Sequence, residues 1–111
     1  GKTFFLSAVA GFITTLPAAA AGLNFEFVVK TAPTSNGYVI VTPGTPDQIL
    51  AGQAYSSTGG DADSETDVTA TTITLVSSVA VIGDKVKIWS DGTSWFARGF
   101  SDADAGITFT G

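Results

Sequence analysis

The sequence predicts an all-β domain, an antiparallel β-sandwich or jelly-roll-like barrel of about eight short strands, with at most one short helical turn. Two observations predict it. Runs rich in Val, Ile, Phe and Thr recur about every ten residues, separated by Gly, Pro, Asn and Asp. Within several runs the apolar residues alternate with polar ones, the period that puts one side of a strand in a core and the other in solvent. The length of 111 residues fits one domain, spanning 1–111.

The elements follow in order. Residues 3–9 form a strand rich in Phe and Leu, interrupted at Gly11 and resumed over 12–16. Pro17, four alanines and Gly22 read as one helical turn, with Pro suited to its start and Gly to its exit. The segment is too short to hold a helix by itself. Residues 23–30 alternate cleanly: Leu23, Phe25, Phe27 and Val29 share the core face, and Asn24, Glu26, Val28 and Lys30 the other. Asn36-Gly37 is the sharpest point of the next turn, before a β-branched strand over 37–42. A Pro-Gly loop spans 43–47, and a strand kinked at Gly52 is expected within 48–55.

Residues 56–67 are poor in apolar side chains and read as an exposed, mobile loop. A strand over 68–76 places Ile73 and Leu75 on one face, and Gly83-Asp84 is a turn. Residues 85–90 and 94–100 make a hairpin joined at Asp91-Gly92. A two-residue turn there sets Ile88 opposite Trp95 and Val86 opposite Ala97, with Lys87, Trp89 and Phe96 on the other face. A turn over 102–106 precedes a last strand over 107–110.

Composition narrows the function. Charged residues make up only 14% of the chain, against an ordinary share of about 25%, so its surface is short of charge. Such a surface suits a subunit covered by neighbours better than a free monomer. The net charge of −5 and the lack of an evident basic stripe argue against nucleic acid and against an anionic membrane. No apolar run is long and unbroken enough for a transmembrane helix; residues 4–21 are interrupted by Ser7, Gly11, Thr14, Thr15 and Pro17. The same stretch is a poor signal peptide, because strand-like alternation continues beyond it. Cys and His are both absent, which removes disulfides, thiolate metal sites, the commonest general base and any Ser-His-Asp triad.

The remaining constellations are weak. Asp61, Asp63, Glu65 and Asp67 alternate as in the early part of a calcium loop, but Thr66 stands where the sharp-turn Gly belongs and Thr72 where the bidentate Glu belongs. They are read as a solvated loop, with no metal. Asp47, Asp84, Asp91, Asp102 and Asp104 sit in turns, where Asp caps its own backbone. Glu26 is the one acid in mid-strand outside the acidic loop, on the polar face, so paired-carboxylate hydrolysis has little to stand on. The aromatic concentration of Trp89, Trp95, Phe96 and Phe100 fills a core or a subunit interface, or else stacks on sugars. No catalytic residue, cofactor site or metal site is assigned, and no enzymatic activity is expected.

Several motifs carry a resemblance. Lys2-Thr3-Phe4-Phe5-Leu6, Leu16-Pro17 with alanine spacing to Gly22, and the run from Phe25-Glu26-Phe27 to Ala32-Pro33-Thr34 resemble small tailed-phage virion proteins. So do Gly37-Tyr38-Val39-Ile40-Val41-Thr42, Ser90-Asp91-Gly92-Thr93-Ser94-Trp95-Phe96 and the ending Gly106-Ile107-Thr108-Phe109-Thr110. The chain is similar to the capsid decoration, or cement, proteins of tailed bacteriophages over most of its length, least so over 53–69. The resemblance implies a structural virion protein on the capsid exterior, a homotrimer that binds the major capsid protein and bridges its subunits. It transfers no binding residues. The alternative is a tail-fibre or receptor-binding module that holds carbohydrate on exposed aromatics. The apolar Phe4-Phe5-Leu6 suits added-strand pairing with a neighbour.

Overall fold

A computed structural model describes residues 2–43, 49–56, 62–63, 70–103 and 106–110. It contains ten strands among the described residues and no helix. They are β1 (Lys2–Ser7), β2 (Phe12–Thr15), β3 (Asn24–Thr31), β4 (Tyr38–Val41), β5 (Ile49–Ser56), β6 (Ala62–Asp63), β7 (Thr72–Leu75), β8 (Lys85–Ser90), β9 (Trp95–Ser101) and β10 (Ile107–Thr110). A six-stranded sheet has the order β1-β3-β8-β9-β5-β6, and a four-stranded sheet the order β10-β7-β4-β2. Their apolar faces meet in a β-sandwich.

Alternation decides which side of each strand is inside. In β3, Phe27 and Val29 are buried, and Leu23 and Phe25 pack against the same core. In β8, Val86 and Ile88 are buried between exposed Lys85, Lys87 and Trp89; in β9, Trp95 and Ala97 are buried. The four-stranded sheet answers with Tyr38, Ile40, Ile73, Leu75, Ile107 and Phe109, all buried. Register brings these side chains into rows: Ile40 is paired with Ile73, and Ile73 with Phe109.

Both sheets are mixed. The pairs β1–β3, β2–β4 and β5–β9 run parallel, whereas the sequence pattern predicts an antiparallel sandwich. The reason is the winding of the chain. β1 lies in the larger sheet, β2 in the smaller, β3 in the larger and β4 in the smaller. Each circuit around the sandwich edge brings a strand back alongside its predecessor in the same direction.

Tyr38 fixes this crossing. Its buried hydroxyl accepts the Ala8 N–H at 2.8 Å and donates to the Thr31 carbonyl at 2.6 Å, tying the β1–β2 link and the end of β3 to β4. Gly11 permits the close approach beside it: with φ +67° it lies against the carbonyls of Asn36 and Gly37, where any Cβ would overlap both oxygens.

Two local expectations change. The alanine segment forms no helical turn; it ends in a reverse turn in which the Leu23 N–H reaches the Ala20 carbonyl at 3.2 Å. Four alanines behind a proline cannot offset helix nucleation. The β8–β9 loop is 91–94 rather than two residues, because Ser90 pairs with Trp95 and Ile88 with Ala97. The cause is Asp91, whose Oδ1 accepts the N–H groups of Thr93 at 3.0 Å and Ser94 at 2.9 Å and so organises a wider turn. Gly92 takes φ +112° within it. The slip is two residues, so every side chain keeps its expected face.

Candidate functional site

Two edge strands lie on the same flank of the sandwich. β1 ends the larger sheet and β2 ends the smaller, and both come from the first winding of the chain. Their side chains are unusually apolar for exposed edges. Phe5 is 64% exposed on the outer side, and Ile13 is 71% exposed. Phe4 turns inward and stacks on Phe27, with centroids 5.3 Å apart and planes at 19°. Phe12 meets Tyr38 edge-on at 5.1 Å. Phe4 and Phe12 each remain about two-fifths exposed (42% and 41%), because among the described residues no further strand closes the sandwich beside them.

Between the two edges lies an apolar cleft of about 230 Å³, walled by Phe4, Phe12, Leu16, Phe25 and Phe27. Edge strands in free-standing domains are commonly blunted by charge, proline or a bulge. β2 has neither charge nor proline, and the register break in β1 comes only at Leu6/Ser7, beyond the exposed phenylalanines. The geometry suits an extended segment laid against the edge, with main-chain hydrogen bonds and an apolar side chain in the cleft.

The aromatic concentration divides. Trp95 is fully buried and packs near Phe25, ring centroids 6.0 Å apart. Trp89 and Phe100 are exposed, and Phe96 half-buried, on the outer face of the larger sheet. The Lys85 ammonium lies 5.7 Å from the Phe100 ring centroid.

The turn aspartates are structural where described. Asp84 is buried; Oδ2 accepts the Val81 N–H and Oδ1 the Asp102 N–H, each at 3.0 Å, which clamps two turns together. Burial pushes its carboxyl above the usual carboxylate range, partly offset by those two N–H groups, while the Asp102 charge adds to the rise. Asp91 is held below that range by the N–H groups of Thr93 and Ser94. With both Asp84 oxygens held by backbone donors, that carboxyl is committed to structure. Glu26 is half-buried on the outer face opposite Lys87.

Of the acidic run, Asp63 falls in β6, paired with Ala54, while Asp61, Glu65 and Asp67 lie outside the described residues, as do Asp47 and Asp104. No group of three or more His, Cys, Asp or Glu that could hold a metal occurs among the described residues. Sequence reading singled out Phe4 and Phe5 but passed over Phe12 and Ile13. Their signal was an uncharged β-branched run between Gly11 and Pro17, which becomes an exposed edge only once β2 is placed last in its sheet. No protein-family model, curated protein or solved structure matches the chain.

Proposed function

We propose that this chain is a structural virion protein of the capsid decoration kind, which binds the outside of a tailed-phage capsid and stabilises it by bridging major capsid subunits. The exposed apolar edge of β1 and β2, with the cleft between them, carries the proposal. A bridging protein needs a rigid fold and a surface that gains from being covered, and it needs no chemistry. The sandwich core meets the first need, and the exposed apolar edge and low charge density meet the second. The motif resemblance supplies the capsid as the target.

The test uses capsids stripped of accessory proteins. Adding the protein is expected to raise the temperature at which they release their contents. Ile13→Asp is expected to fold normally by circular dichroism, because Ile13 is exposed, but to bind about tenfold or more weakly. Failure of the wild type to bind capsids, together with binding to tails or to a glycan, moves the chain to the second reading. That reading, a carbohydrate-holding tail-fibre module, is favoured by exposed Trp89 and Phe100, and a glycan array checks it directly.

A further inference from the structure

The outer face of the larger sheet is laid out in three rungs. In the first, Asn24 pairs with Trp89 and Trp89 with Phe96. In the second, Thr3 pairs with Glu26, Glu26 with Lys87, and Lys87 with Arg98. In the third, Phe5 pairs with Val28, Val28 with Lys85, and Lys85 with Phe100. Lys85, Lys87, Trp89, Arg98 and Phe100 are exposed, and Asn24, Glu26 and Phe96 are half-buried. Rings therefore flank a charged row on both sides, and Phe96 and Phe100 stand about 13 Å apart along β9 at about 3.3 Å per residue.

The order of the rungs selects the kind of ligand. A protein interface keeps its apolar side chains at the centre and its charges at the rim. Here the charged row is central and the rings lie to either side of it. A carbohydrate has the matching alternation. The C–H face of a pyranose lies on an aromatic ring, whose own face is partially negative, while its hydroxyls reach sideways to polar groups. Those groups are in place. A shallow depression of about 150 Å³ has Thr3, Asn24, Glu26 and Lys87 in its walls, and Trp89 borders it as the register partner of Asn24. The Asn24 amide nitrogen donates to the Gly22 carbonyl at 3.3 Å, which leaves its oxygen as an acceptor. Glu26 supplies a second acceptor and Lys87 a donor.

Charge fixes the class of sugar. Lys87 and Arg98 stand directly opposite one another, which destabilises an empty sheet. Glu26 lies on the far side of Lys87, but the register partners of Arg98 are Lys87 and Gln53, so no acid borders it across the sheet. With Lys30 beyond the third rung, four cations (Lys30, Lys85, Lys87 and Arg98) face one acid (Glu26), so this cationic face carries +3 in a chain of −5. A bound carboxylate relieves the Lys87–Arg98 rung, and the planar guanidinium takes it through two parallel hydrogen bonds.

We infer that the outer face of β3, β8 and β9 binds a short oligosaccharide bearing a carboxylate, with a pyranose on Trp89 and the carboxylate at Arg98. The inference rests on the carbohydrate reading and adds to it the site and the charge of the sugar. It is compatible with capsid binding through the β1–β2 edge, because Trp89 and Arg98 lie two and three strands in from β1.

Titration calorimetry on the full chain tests it, with trigalacturonate and sialyllactose as acidic probes and methyl-esterified trigalacturonate and lactose as their neutral counterparts. At least one acidic probe is expected to bind with a Kd below about 1 mM, and about tenfold or more tightly than its neutral counterpart. Arg98→Gln is expected to remove that preference and leave neutral binding unchanged. Trp89→Ala is expected to weaken acidic and neutral binding alike by about tenfold, and Trp89→Phe to restore most of it. These side chains are exposed, and an unchanged melting curve confirms that the variants fold. Iodide quenching adds a second readout: the sugar protects exposed Trp89, while buried Trp95 does not change. Neutral sugars bound as tightly as acidic ones overturn the inference and leave the carbohydrate reading standing. Failure of both acidic probes to bind overturns the inference, and an empty glycan array overturns the carbohydrate reading with it. Acidic binding indifferent to R98Q, or a single-stranded oligonucleotide bound in preference to either acidic sugar, also overturns it. Loss of capsid binding in Ile13→Asp with sugar binding intact bears on the capsid reading alone.

Discussion

Gly11→Ala and Gly92→Ala meet different backbone demands in different surroundings. Both glycines have positive φ, but +67° at Gly11 lies in the left-handed region that alanine enters at about 1–2 kcal/mol, whereas +112° at Gly92 lies outside it and costs about 2–3 kcal/mol. Replacing glycine also stiffens the unfolded chain, which returns about 0.4–1 kcal/mol. At Gly92 nothing else is added, because the nearest atom to a new Cβ would be the Ala21 Cβ at 3.6 Å, an ordinary contact. A net loss of about 2 kcal/mol is expected there. At Gly11 the Cβ would overlap two backbone oxygens, those of Asn36 and Gly37, which cannot turn aside as a side chain can. Relief requires the 8–11 turn to move away from the 34–37 loop. That move strains the Thr34 N–H bond to Val9 at 2.8 Å and the longer Ser35 bond to the same carbonyl at 3.3 Å. Overpacking of this kind adds about 1–3 kcal/mol, giving about 3 kcal/mol in total. At about 4 °C per kcal/mol for a domain of this size, Gly11→Ala should melt about 12 °C below wild type and Gly92→Ala about 8 °C below. Differential scanning calorimetry reads both. If Gly11→Ala melts with or above Gly92→Ala, the close crossing of the two links is wrong, and with it the placement of β2 at the open edge.

Tyr38→Phe keeps the buried ring but leaves the Ala8 N–H and the Thr31 carbonyl without their shared partner, so chemical denaturation should show a loss of about 1–3 kcal/mol. Asp84 gives a pH signature of unusual sign. Its folded pKa is raised, so its contribution is fully present below the ordinary value of 3.8 and is lost as pH rises through the folded value. The stability of wild type relative to Asp84→Asn should therefore shrink as pH rises from the acid side toward neutrality. Denaturant titrations across that range check it, and a gap that widens with pH refutes burial as the dominant cause.

Faces were legible in the sequence and partners were not. Alternation in 23–30 and 85–100 marks which side chains are buried, because a strand has only two sides and the core takes one. It cannot mark which strand lies beside which. The parallel pairs β1–β3 and β2–β4 arise from winding between sheets, a property of how the links at 8–11 and 32–37 cross, and that crossing depends on Tyr38 and Gly11 rather than on any period. The β8–β9 register shows the same division. The Asp91 carboxylate widened the turn by two residues, and a slip of two preserves every face, so burial was right while the pairing was displaced. The cationic face was invisible for a related reason. The scattered cations of an acidic chain give no run and no net positive segment, and Lys30, Lys85, Lys87 and Arg98 come to one outer face only when β3, β8 and β9 become neighbours.

The apolar edge and the cationic face are adjacent surfaces, and Phe5 belongs to both. It lies on edge strand β1, and its register partner is Val28, on the same outer face as Lys85, which pairs with Val28 from the other side. Ile13 belongs to the edge alone, since β2 is in the other sheet, and Trp89 belongs to the face alone. An occupant of the edge therefore covers one border of the face. Two partners bound side by side would divide Phe5 between them, and area buried by one is not gained again by the other, so one surface favours occupancy of the other only where the two partners also touch each other.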